Sequence, residues 1–188
     1  MQTLFIQVDD GTEVFVRRWD KVQHPLGIVQ IAHGMAEHSG RYHRFAEFLN
    51  EQGFIVVAND HRGHGKTGEK AGPMGYFAPE KGFDRVVDDL HFISQQLKRE
   101  NPELPLFVFG HSMGSFLMRR YLQEYGEFVA GAILMGSGGD PGLAGKLGKF
   151  IALWQMRRRP TQPSPLLDTL SFGAFNKGIK RPRTRFDW

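Results

Sequence analysis

A serine at position 112 sits between two glycines, in the run Gly110-His111-Ser112-Met113-Gly114. The apolar stretch Leu106 to Phe109 precedes it, and a segment with helical character, Phe116 to Tyr125, follows. Strand, G-x-S-x-G, helix is the local context of a nucleophile elbow, in which a sharp turn lifts the serine hydroxyl clear of the sheet edge. Glycines on both sides let strand and helix approach without side-chain clash. The chemistry on offer is covalent: Ser112 as nucleophile.

Such a serine needs a base to take its proton and an acid to orient that base. In an elbow of this kind the partners follow in the order Ser, then Asp or Glu, then His. The eight histidines are His24, His33, His38, His43, His61, His64, His91 and His111, and all precede Ser112. The set is therefore not completed within these 188 residues in the usual order. Asp140 follows the strand after the elbow, but Gly-Gly-Asp-Pro reads first as a turn. Asp168 and Asp187 lie further on and are poorer choices.

An oxyanion hole needs backbone N–H donors aimed at developing negative charge. The residue after the nucleophile, Met113, supplies one, and the loop His33-Gly34-Met35 after an earlier strand supplies the other through Met35. The stretch Asp60-His61-Arg62-Gly63-His64-Gly65 has the residue types of a metal site. It lacks a helical H-x-x-x-H spacing, and the chain has no cysteine. Its expected role is structural, with Asp60 and Arg62 tying down loops near the catalytic edge.

Positioning these groups falls to alternating elements. Leu4 to Val8 and Glu13 to Arg17, joined through Asp9-Asp10-Gly11, read as a β-hairpin. Ile28 to Ala32, Phe54 to Ala58, Leu106 to Phe109 and Val129 to Met135 read as buried strands. Arg41 to Gln52 and Phe83 to Arg99 carry helical spacing. Gly63 to Gly75 reads as loop. Near-continuous apolar strands alternating with helices predict a mostly parallel sheet covered on both faces. His33-Gly34, Asp60 and Ser112 then fall at carboxyl ends of strands, where such sheets hold their active sites. After Gly136 the character changes: Leu143 to Arg159 has helical spacing, Thr161 to Pro165 breaks it, and Leu166 to Trp188 is irregular. Residues 141–188 read as a cap or lid over a core formed by residues 1–140.

The net charge is +4, but residues from Pro141 on hold ten Lys/Arg against two Asp/Glu, and residues 1–140 hold fourteen against eighteen. No nucleic-acid motif accompanies the basic tail, so nucleic acid is not an expected partner. A basic tail also suits an anionic membrane surface and hence a lipid substrate. No apolar run reaches the roughly 18 residues of a membrane span, and the N-terminus does not read as a signal peptide. The absence of cysteine is compatible with a cytoplasmic location.

Three segments in order, His33-Gly34-Met35-Ala36-Glu37-His38-Ser39-Gly40-Arg41-Tyr42, Asp60-His61-Arg62-Gly63-His64-Gly65 and Gly110-His111-Ser112-Met113-Gly114, resemble the α/β-hydrolase superfamily. Within it the chain is similar to the monoacylglycerol lipase and lysophospholipase group, over roughly Ile28 to Gly136. Phe175-Asn176-Lys177 and Arg185-Phe186-Asp187-Trp188 look like cap sequence of that group. The resemblance implies an α/β-hydrolase fold that opens with an antiparallel hairpin and runs to the start of a helical cap, without the family's C-terminal strands. It implies a serine hydrolase of monoacylglycerol or lysophospholipid esters that needs no cofactor or metal. Its nucleophile is Ser112, its oxyanion hole the Met35 and Met113 amides, and its triad Asp and His lie beyond residue 188. Glu37 and Arg41 match positions near the polar end of the acyl-glycerol site, and an ordinary ion pair is the other reading. Ala36 stands where relatives commonly have glycine. Leu147, Ile151, Trp154 and Phe172 would offer the cap an apolar channel. A non-catalytic binding protein for an apolar ligand, or a peptidase or C–C hydrolase of the same fold, remain as alternatives.

Overall fold

The computed structural model describes residues 1–140 and 142–173. They divide into two compact units, Met1–Gly138 and the residues from Gly139 onward.

The first unit is built on a six-stranded sheet in the order β1-β2-β4-β3-β5-β6. β1 (Gln2–Gln7) and β2 (Glu13–Trp19) form the antiparallel hairpin. β2 pairs antiparallel with β4 (Phe54–Asn59). β3 (Gly27–Ala32), β4, β5 (Leu106–His111) and β6 (Gly131–Met135) run parallel to one another. Every residue of β3 is buried. This is what a central strand flanked by helices requires, and it explains the uninterrupted apolar runs.

α1 (His43–Glu51) covers one face through a cluster of Trp19, Ile31, Tyr42, Ala46, Val56 and Phe109. α3 (Gly82–Glu100) and α4 (Met113–Tyr125) cover the other, with Val86, Leu90, Val108, Leu117, Met118 and Tyr121 packed together. Gln30 is the polar exception in β3. Its side-chain amide donates to the Leu90 carbonyl at 2.9 Å and its oxygen accepts from Ser94, so burial leaves neither group unpaired.

Three expectations need correction. The glycine-rich stretch expected as loop contains α2 (Gly65–Ala71). It forms because tertiary partners supply what its weak helix formers do not: the Lys66 amide donates to Asp60 Oδ2 at 2.8 Å and the Thr67 hydroxyl to the Asp60 carbonyl at 2.7 Å. The stretch from Leu166 expected to be irregular is in part α6 (Pro165–Phe172). Ser164 caps it, accepting from the Leu167 amide at 3.1 Å, and Pro165 sits at its start, where a missing N–H costs nothing. The strand at 131–135 forms but is not buried: Ala132 to Met135 are exposed, Ile133 to 57%. Among the described residues its outer edge pairs with no strand.

In the second unit α5 (Gly142–Arg158) matches the helical spacing expected from Leu143. No helix among the described residues is long and apolar enough to cross a membrane. The expectations for Phe175 to Lys177 and for Arg185 to Trp188 lie outside the described residues.

At the elbow, α4 is pressed onto the sheet. A Cβ on Gly114 would overlap the Ala32 carbonyl oxygen, and one on Gly110 would overlap the Gly114 carbonyl oxygen. Both obstacles are backbone, so little can yield. Gly114→Ala is expected to destabilise the protein by about 2–3 kcal/mol in urea unfolding, the cost of overpacking a tight site. A loss within the roughly 0.5 kcal/mol of an ordinary surface change would contradict this packing.

Candidate active site

Ser112 lies between the end of β5 and the first turn of α4, with φ 52° and ψ −117°. A positive φ in a residue with a Cβ is strained backbone, stored where the surroundings impose it. Those surroundings are specific. The Ser112 amide donates to the Met135 carbonyl of β6 at 2.9 Å. Its carbonyl accepts from the Ser115 amide at 2.9 Å and the Ser115 hydroxyl at 2.6 Å, and Ser137 bonds that hydroxyl in turn at 2.7 Å. The hydroxyl of Ser112 itself has no hydrogen-bond partner among the described residues.

Met113 is the first residue of α4, so its amide has no carbonyl four residues back within the helix. The loop after β3 comes against the same point: a Cβ on Gly34 would stand 3.2 Å from the Ser112 Cβ. The next residue, Met35, makes no backbone hydrogen bond among the described residues. Met113 thus follows the serine directly, and Met35 follows the glycine that abuts it. Ala36 has φ 58°, in the left-handed region that favours glycine. That is the physical meaning of a glycine preference at this position.

Glu37 is brought into the site and is only 9% exposed. Its Oε1 accepts from the Gly34 amide, from the Tyr42 hydroxyl at 2.8 Å and faces His111 Nδ1 at 3.3 Å. Its Oε2 pairs with Arg41 Nε at 3.3 Å. Glu37 thus pins the Gly34–Met35 loop to His111, the residue before Ser112, as well as forming the ion pair with Arg41. Burial, then the Glu37 charge, push the Tyr42 phenol above its ordinary pKa. Tyr42 and His111 are contributors that pattern reading did not single out; their adjacency to the two motifs was the available signal.

Asp60, at the end of β4, is fully buried. It accepts from the Ser39 amide at 2.8 Å, the Ser39 hydroxyl, Arg17 at 3.0 Å and the Lys66 amide at 2.8 Å. Burial opposes its charge, but these donors outweigh it and hold the carboxyl below its usual range. Arg62 bridges the hairpin turn to α3, bonding Asp10 at 2.6 Å and Asp89 at 2.7 Å. This hydrogen bonding holds Asp10 well below the ordinary carboxylate range. Both residues are fully engaged with protein partners, a structural arrangement.

His33, His61 and His64 are buried side by side. Burial, then the neighbouring imidazoles, lower His33 well below the usual value. The same causes, burial and then His64, bring His61 down to about 3, and burial lowers His64. The hydrogen bonds of the three rings go to Gly34, His33, Asn59, His61 and Arg62 and not to Ser112. Asp140, weighed as a triad acid, accepts from the Gly142 amide at 2.8 Å in an exposed turn.

Comparison with known proteins places this geometry in a family. A family model described as serine aminopeptidase, S33, matches residues 23–169. The chain is 36% identical over 121 residues to a monoacylglycerol lipase of Mycolicibacterium smegmatis, covering 64% of this chain and 41% of that protein. It is 31% identical over 133 residues to the monoglyceride lipase of Homo sapiens, covering 67% and 40%. A thermostable carboxyl esterase from Bacillus coagulans, solved in complex with glycerol, superposes with a TM-score of 0.83 at 34% identity, over all of this chain and 60% of that one. The chain spans about two fifths of the length of these curated relatives.

The histidine cluster sets a pH dependence. His61 is near pKa 3 when folded against an ordinary 6.5, so the unfolded chain takes up a proton the folded one excludes. Its contribution is complete above about pH 6.5 and lost as pH falls toward 3, at about 1.4 kcal/mol per pH unit. The urea midpoint is expected to drop between pH 7 and pH 5, above the carboxylate range, and to drop less in His61→Gln. Equal midpoints at the two pH values would contradict the buried neutral histidine.

Proposed function

The chain belongs to the family described as serine aminopeptidase, S33, within the α/β-hydrolase fold, and on that premise we propose that its polypeptide hydrolyses carboxylic esters of monoacylglycerol or lysophospholipid type through an acyl-enzyme on Ser112. The observation that carries this reading is the strained Ser112 backbone, φ 52°, set between Gly110 and Gly114 and against the Gly34–Met35 loop.

In the proposed reaction Ser112 Oγ attacks the ester carbonyl carbon while a base takes the hydroxyl proton. The carbonyl π electrons move to oxygen, and the Met35 and Met113 amides hold that oxyanion. Collapse expels the alcohol, which leaves with the proton, and the acyl group stays on Ser112. Water, deprotonated by the same base, then releases the carboxylic acid and restores the serine. The base and its carboxylate partner are proposed to come from polypeptide beyond Trp188. Two observations support this: the histidines at 33, 61, 64 and 111 are hydrogen-bonded elsewhere, and β6 is an edge strand whose outer side pairs with no strand among the described residues, where a continuing sheet would add.

Glu37 and Arg41, which pair at 3.3 Å, are proposed to border the glycerol end of the ester. α5 exposes Leu143, Leu147, Phe150 and Trp154 together with Lys146, Lys149 and Arg157. That combination suits peripheral contact with an anionic lipid surface.

The aminopeptidase description of the family favours one second reading, attack on an amide at the same serine. Turnover of an aminoacyl anilide with none of a monoacylglycerol would select it.

The test is the intact mass of the natural protein before and after a fluorophosphonate serine probe. The expected result is a mass above 21.4 kDa and a single adduct that Ser112→Ala removes, together with a loss of ester turnover of about 10⁴-fold or more. Unchanged turnover in Ser112→Ala, or a 21.4 kDa protein with no adduct, would overturn the proposal.

A further inference from the structure

Three buried imidazoles next to the site take no part in the chemistry above, and two of them are joined in an unusual way. His33 Nδ1 lies 2.7 Å from the Gly34 carbonyl oxygen, and its Nε2 lies 3.0 Å from the His61 amide. A carbonyl only accepts and a backbone amide only donates, so the proton of His33 sits on Nδ1 and Nε2 is bare. His61 has the opposite arrangement. Its Nε2 donates to the His33 carbonyl at 3.2 Å, and its Nδ1 accepts from the Asn59 side-chain amide at 3.3 Å. The ring of each residue is thus bonded to the backbone of the other, with ring centroids 3.9 Å apart.

A second proton on the His33 ring would point its Nε2–H at the His61 backbone N–H. The other titratable groups that face the pair are His64, whose ring stands 5.3 Å from His33, and Asp60. His64 is itself hydrogen-bonded to the Arg62 carbonyl at 2.9 Å, and Asp60 is taken up by Ser39, Arg17 and Lys66. Neither supplies an acceptor that would make a charged His33 comfortable. Burial and the neighbouring imidazoles press in the same direction, toward neutrality.

The position of this clasp matters more than its strength. The His33 carbonyl and the Ala32 carbonyl are the surface on which Gly114 of the elbow rests. One residue further on, the Gly34 amide is held by Glu37, and Met35 follows. His33 is therefore the point where β3, the elbow and the Asp60–Gly65 loop are referenced to one another.

We propose that His33 is a positioning residue, a neutral imidazole protonated at Nδ1 and clasped reciprocally to His61, which fixes where the Met35 amide stands relative to Ser112. The catalytic consequence rests on the ester-hydrolase reading; the clasp itself does not.

The first arm of the test is a long-range ¹H–¹⁵N imidazole correlation on the ¹⁵N-labelled protein. The expected spectrum at pH 7 shows His33 protonated at Nδ1 and His61 at Nε2, both unchanged at pH 5. A charged His33, or one protonated at Nε2, would overturn the proposal. The second arm compares His33→Gln, whose side-chain oxygen reaches the Nε2 position and can still accept from the His61 amide, with His33→Phe, which cannot. In His33→Phe, kcat for ester hydrolysis is expected to fall by about 10–100-fold at unchanged KM, as for a misplaced oxyanion donor, and His33→Gln recovers most of the loss. Equal losses in the two variants, or a loss confined to KM, would overturn it. A wild-type protein without ester turnover would sink the hydrolase reading, while the tautomers would still decide the clasp.

Discussion

The contact on which the site depends is the approach of the first turn of α4 to the carbonyl end of β3. No atom fits between Gly114 and the Ala32 carbonyl, and none between Gly110 and the Gly114 carbonyl. Because strand and helix meet so closely, the chain must reverse within Ser112 itself, and the reversal forces its φ to 52°. The hydroxyl is lifted from the sheet as a geometric result of that closeness. The same approach brings the first helical amide, that of Met113, beside the serine with no helical acceptor of its own. It also presses the elbow against the loop that carries Gly34 and Met35.

A tight joint of this kind is useful only if the loop on its far side is equally fixed. Two sets of polar groups do this by different means. Glu37 collects the Gly34 amide, Tyr42 and His111 on one carboxylate oxygen, joining the Gly34–Met35 loop to the residue before Ser112. Asp60 collects Ser39, Arg17 and Lys66, joining the following loop to β2 and α2. In both cases a buried carboxylate is stabilised by multiple donors, the condition under which burying charge is tolerated. The histidine pair between them works without charge and needs only hydrogen bonds. This end of the sheet is therefore held by buried polar contacts, while the apolar clusters beneath hold the sheet to its helices.

Much of this arrangement was legible in the residues. Four apolar runs marked the parallel strands, and the ends of three of them pointed to His33-Gly34, Asp60 and Ser112 before any geometry was known. The reason is that burial on both faces leaves an unambiguous apolar signature, and chemistry in such sheets gathers at strand ends. What escaped depends on contacts distant in sequence. α2 has glycines and weak helix formers, and it exists because Asp60 receives its first turn. α6 carried a legible start, Ser164-Pro165, which the surrounding prolines disguised as a break. The strand at 131–135 has the composition of a buried element yet stands exposed, because composition reports what a strand is suited to and not what covers it. The tautomers of His33 and His61 could not be read at all, since each is dictated by a partner 28 residues away.

The measurement that bears most directly on this account is a crystal structure of the natural protein carrying a phosphonate on Ser112. The phosphoryl oxygen stands for the oxyanion of the tetrahedral intermediate. It is expected within hydrogen-bonding distance of both the Met35 and Met113 amides, with the His33–His61 clasp intact and the Ser112 backbone still in the left-handed region. An oxygen turned away from either amide, or a loop that must unclasp to reach it, would contradict the claim that the close joint between β3 and α4 builds the oxyanion site in advance.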